Sequence, residues 1–68
     1  MTSTAQALHQ QAKTHLSQNR VQETIALCSQ ILERDSKFVP AYETLGKALY
    51  LAKRLEEAEK CYRQLINL

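Results

Sequence analysis

The sequence has few of the residues that break helices or build special sites. One glycine, one proline and no tryptophan occur in 68 residues. Two cysteines, Cys28 and Cys61, are too few for a disulfide scaffold and their separation fits no zinc pattern. No run approaches the roughly 18 apolar residues needed to span a bilayer, so no membrane association is expected. The net charge is only +2, with acidic and basic residues interspersed, so the chain lacks the basic footprint of a nucleic-acid binder. The segment Met1-Thr2-Ser3-Thr4-Ala5-Gln6 has neither the basic start nor the apolar stretch of a signal peptide. A cytoplasmic location with reduced thiols follows as the expectation.

What is present is a wealth of Ala, Leu, Gln, Glu, Lys and Arg, the residues long helices favour. It is also arranged periodically. Sliding the sequence by 34 aligns Ala7 with Ala41, Lys13 with Lys47, Arg20 with Arg54, Glu23 with Glu57 and Gln30 with Gln64. Apolar or small positions follow the same register: Leu8 on Tyr42, Ala12 on Gly46, Leu16 on Tyr50, Val21 on Leu55, Ile31 on Leu65 and Leu32 on Ile66. No gap is needed, and 68 is twice 34.

Each half divides into two helices. In the second, Tyr42, Leu45, Leu49 and Ala52 form one helical stripe, Lys53-Arg54 a turn, and Leu55, Ala58, Tyr62, Leu65 and Ile66 the next stripe. Pro40 suits a first helical turn. Glu56–Lys60 and Glu59–Arg63 stand at i, i+4 in the favourable order, each worth about 0.2–0.5 kcal/mol. In the first half Ser3 and Gln6 match a capping box, and Ala5, Leu8, Ala12 and Leu16 give the stripe. Asn19 suits the helix end, and Val21, Thr24, Cys28, Ile31 and Leu32 continue the pattern until Asp35-Ser36-Lys37 breaks it. Gly46 costs its helix about 1 kcal/mol relative to Ala, so a close approach of the partner helix is expected there. Thr24 and Ala58, the matching small residues, are expected opposite Ala12 and Gly46.

The pattern resembles the tetratricopeptide repeat. Ala41-Tyr42-Glu43-Thr44-Leu45-Gly46 looks like that family's aromatic-x-x-Leu-Gly opening. Leu55-Glu56-Glu57-Ala58, followed by Tyr62 and Leu65, looks like its second helix. The first copy departs from the pattern, with Leu8, Gln11, Ala12 and Thr24 at the signature positions and Ser36 where a proline is usual. Pentatricopeptide repeats, which bind RNA, have a slightly longer period. The resemblance implies an all-α fold of two tandem helix-turn-helix repeats, four antiparallel helices in a short α-solenoid. It implies a single domain over residues 1–68, with repeat one at about 5–38 and repeat two at about 39–68.

Catalysis needs a nucleophile, base or metal held in a dry pocket. The candidates are His9, His15, Cys28 and Cys61. His9 and His15, six apart on one helix, point about 240° apart and do not suit one metal ion. His15 and Cys28 fall on core positions and read as packing residues, and Cys61 lies beside the core stripe. A Cys28–Cys61 bridge stays open, because neighbouring repeats stack their second helices. No Gly-rich loop, carboxylate pair or nucleophile triad is present, so neither an enzyme nor any metal or cofactor is expected.

The resemblance further implies a concave groove that holds a peptide of a partner protein. Carried onto this sequence, its residues are Gln6, His9, Lys13 and Ser17 from the first repeat and Glu43, Lys47, Tyr50 and Leu51 from the second. Lys13 and Lys47 suit an acidic group or a C-terminal carboxylate. Of Tyr50 and Leu51, adjacent in sequence, one is expected to stay outside the core. Two repeats bury little, and no capping helix follows the second. Cys61, Leu65, Ile66 and Leu68 are therefore expected at a self-associating end. The chain is either a scaffold for a peptide, a module that homodimerises, or the N-terminal part of a longer array.

Overall fold

A computed structural model describes residues 3–67, which form four helices: α1 (Thr4–Ser17), α2 (Val21–Arg34), α3 (Val39–Leu51) and α4 (Leu55–Asn67). Leu68 lies outside the described residues. Each helix packs antiparallel to the one before it, and α3 also rests on α1. No described helix is long and apolar enough to cross a membrane.

The helix ends follow from local chemistry. Ser3 Oγ accepts the Gln6 backbone N–H (3.1 Å), while Gln6 Oε1 accepts that of Ser3 (3.2 Å). This reciprocal box satisfies two otherwise orphaned donors of α1. Both hairpins close on one device. Asn19 (φ 62°) and Lys53 (φ 63°) adopt left-handed backbone at positions 34 apart. After α1, the N–H groups of Asn19 and Arg20 reach the carbonyls of Leu16 (3.0 Å) and His15 (2.8 Å). After α3, those of Lys53 and Arg54 reach Tyr50 (3.0 Å) and Leu49 (2.9 Å). These are paired Schellman closures, and Asn suits the left-handed residue better than Lys does. Lys53→Gly is expected to add up to about 1 kcal/mol. At about 4–8 °C per kcal/mol in a domain of this size, thermal melting resolves the gain, and an unchanged midpoint would contradict it.

Between the hairpins Asp35 Oδ1 accepts the Lys37 backbone N–H (3.2 Å), an Asx turn that stops α2. Pro40 then lies in the first turn of α3, and the Tyr42 hydroxyl ties that helix back to the Ser36 carbonyl (2.8 Å). On α4 Glu59 pairs with Arg63, and Glu57 pairs with Arg54 just before the helix. The spacing-based expectation of Glu56–Lys60 is not met, since those two are not in ion-pair contact.

A cluster of Ala12, Cys28, Leu45, Leu49 and Ala58 forms the centre, with Ile31, Ala41 and Ala48 also buried. Small residues dominate, so the helices approach closely. The buried Thr24 hydroxyl donates to the Arg20 carbonyl (2.9 Å) and reaches the Ala12 carbonyl of the facing helix (3.3 Å). In the second hairpin the close approach expected at Gly46 is present, and the atoms nearest to it belong to Tyr62. A Cβ at Gly46 would lie 2.8 Å from Tyr62 Cζ, so the glycine makes room for an aromatic ring one turn further along α4.

Candidate functional site

The expected groove residues divide into two groups. Gln6, His9 and Lys13, on successive turns of α1, line a hollow of about 570 Å³ together with Gln10, Phe38 and Pro40. Phe38 ends the connection into α3 and Pro40 lies in the first turn of that helix, so this hollow lies where the first hairpin meets the second. His9 is its hinge residue. Its Nε2 shares a hydrogen bond of 2.7 Å with Thr44 Oγ1 on α3, and its ring meets Phe38 edge-on with centroids 5.8 Å apart. Burial of the ring, and then the Lys13 ammonium, lower its pKa from the ordinary 6.5. The nearby Pro40 backbone and the Glu43 carboxylate oppose that shift. Neutral His9 thus joins the two hairpins, while Lys13 stays exposed at the rim.

Glu43 and Lys47, one turn apart, are exposed on α3, and Ser17 is exposed at the end of α1. Tyr50 and Leu51 sit elsewhere. With Lys53 and Leu55 they line a second hollow of about 440 Å³ at the α3–α4 turn. The expectation that one of Tyr50 and Leu51 stays outside falls short, because both do, at 65% and 55% exposure. Leu55, expected in the core stripe of α4, is 57% exposed as well. It stands at the flank of a stripe whose centre is Ala58.

The sequence pattern missed Gln10, Phe38, Pro40 and Thr44 around the first hollow. The signal that could have found Phe38 was a large aromatic residue in an otherwise polar connection.

The residues expected to self-associate also separate. Ile66 is 81% exposed, Leu65 is half-buried, and Leu68 lies outside the described residues. Cys61 instead packs half-buried against the core that holds Cys28. Both thiols are free. Desolvation, with a smaller contribution from Cys61, pushes the Cys28 pKa up to about 12. Burial, and then Glu57, raise that of Cys61. Neither thiol therefore favours the reactive thiolate at neutral pH. His15, at the end of α1, is half-buried with Nδ1 out of water and without a hydrogen-bond partner.

Comparison with known families decides the family of this fold. A family model described as Tetratricopeptide repeat matches residues 15–68. The chain belongs to the tetratricopeptide repeat family. No curated protein and no solved structure gave a match. The tetratricopeptide match spans α2, α3 and α4 and takes in only the end of α1, the helix whose signature positions depart most from the pattern. Tetratricopeptide repeats are helical scaffolds that generally mediate protein–protein contacts without chemistry of their own.

Proposed function

We propose that this chain is a non-enzymatic scaffold that receives a short peptide segment of a partner protein at the seam between its hairpins. On this reading each hairpin is one repeat, about residues 5–38 and 39–68, and together they form one cytoplasmic domain. The observation that carries it is the hollow around Gln6, His9, Gln10, Lys13, Phe38 and Pro40. An aromatic wall, two side-chain amides and one exposed cation suit an extended peptide with an acidic group, the amides serving its backbone and Lys13 its charge. Lys47 supplies a second cation on the neighbouring helix.

The test is a fluorescent peptide library enriched in acidic residues, screened against the purified chain by polarisation. The best binder is expected to weaken about tenfold with Lys13→Ala and with Phe38→Ala, a loss of about 1.4 kcal/mol each. Tyr50→Ala, outside the seam, is expected to leave it unchanged. Either no retained peptide or equal affinity in all three variants overturns the proposal.

A second reading, association of copies through the second hairpin, is favoured by one observation. Among the described residues the exposed large apolar side chains all lie on the second hairpin, with Tyr50, Leu51 and Leu55 gathered at the α3–α4 turn and Ile66 toward the far end of α4. Isolated apolar residues on a surface need no explanation, but a grouped set marks a contact surface.

A further inference from the structure

We infer that two copies of this chain pair α4 against α4, antiparallel about a two-fold axis, each seating its Ile66 in the Tyr50–Leu51–Leu55 hollow of the other. This rests on the second reading above and gives it a geometry.

The 34-residue register shows which surface is unfilled. On α2, Cys28 and Ile31 are fully buried and Val21 and Leu32 half-buried. Their counterparts on α4 are Tyr62, Leu65, Leu55 and Ile66, and every one is more exposed. The difference has a simple cause: α3 lies on α2, and no described helix lies in that place on α4.

A head-to-tail copy does not fit that place. It would have to present α1 as α3 is presented, and α3 buries Ala41, Thr44, Leu45 and Ala48. The equivalent residues of α1 are Ala7, Gln10, Gln11 and Thr14, all exposed. Burying two glutamines where an alkyl group belongs leaves amides without partners.

A copy of α4 does fit. Leu55, Glu59, Tyr62 and Ile66 fall within about 60° of one another around the helix. Their spacing of 4, 3 and 4 reads the same in both directions. Turned antiparallel, a second α4 sets its Ile66 on Leu55 and its Leu55 on Ile66, with each Glu59 beside the other copy's Tyr62 and Arg63. The charges are complementary across the axis. Glu59 and Arg63, which pair at 2.6 Å within one helix and stay exposed, each gain a second partner of opposite sign. Ile66, the most exposed large apolar side chain among the described residues, stands toward one end of α4 and the apolar hollow at the other, eleven residues (66 − 55) or about 16 Å away. A two-fold contact fills both hollows at once, as an isologous interface requires.

The 68-residue chain is followed by light scattering from low micromolar to millimolar concentration, with circular dichroism confirming that every variant stays helical. Wild type is expected to double its mass from 7.8 kDa. Ile66→Lys, Glu59→Arg and Arg63→Glu are each expected to weaken pairing about tenfold or more. An equimolar mixture of the last two is expected to recover wild-type affinity, because opposite charges then meet only across the axis. A wild-type mass that never rises overturns the pairing and the reading beneath it. Doubling that is insensitive to Ile66→Lys moves the contact to another face. Doubling that Ile66→Lys abolishes, but that the mixture fails to rescue, keeps the face and overturns the antiparallel register.

Discussion

Truncating Ile31, the largest fully buried side chain among the described residues, to alanine is expected to cost about 2–5 kcal/mol. Ile31 is fully buried on α2, the helix against which both α1 and α3 pack. Its fully buried companions are small: Ala12, Ala41, Ala48, Thr24 and Cys28. A domain of this size has little stability in reserve, so a substantial unfolded fraction is expected at physiological temperature. Urea unfolding followed by far-ultraviolet circular dichroism gives the number. A loss under about 1 kcal/mol would mean that α3 resettles on α2 without the isoleucine.

Enlarging Gly46 is expected to act by the opposite route. The tip of the Tyr62 ring occupies the space a side chain would need, with the two ε carbons at 3.0 and 3.1 Å from an added Cβ. Gly46→Leu gains up to about 1 kcal/mol in helix propensity. It is nevertheless expected to lose about 1–3 kcal/mol net, because the ring must leave its seat between α3 and α4. The decisive comparison is a double-mutant cycle with Tyr62→Ala. If the ring is the obstacle, Gly46→Leu becomes neutral or stabilising once the ring is removed. An equal penalty in both backgrounds would point to strain elsewhere in α3.

The two residues also mark how far the sequence could be read. The gapless register and the interrupted polarity at Asn19, Asp35 and Lys53 placed all four helices. Helix ends depend on local chemistry, and local chemistry is written in neighbouring residues. The close approach at Gly46 was equally legible, because a mid-helix glycine is costly without one. The part played by Tyr62 was not. Equivalence by 34 pairs small residue with small residue and does not say how far a tyrosine reaches across the hairpin.

The candidate site was less visible for the same reason. His9 and Lys13 could be placed on one face of α1 from their spacing. That His9 would meet Phe38 and Thr44 depends on the path of the Asp35–Phe38 connection and on the seating of one hairpin on another. No periodicity encodes either. Leu55 shows a third limit: a stripe names a face of a helix but not how wide a strip of it the neighbour covers.

The helix that supplies the seam is also the one least held by the core. Ala12 is the only fully buried residue of α1, whereas α3 buries six residues. Native-state fluctuations therefore favour partial release of α1 over any opening of the second hairpin. Each such excursion separates His9 from Thr44 and briefly admits water to the Thr24 hydroxyl and the Cys28 thiol. A ligand bridging Lys13 and Phe38 would suppress these excursions, so part of its effect would be entropic: it would quiet a helix that is otherwise loosely docked.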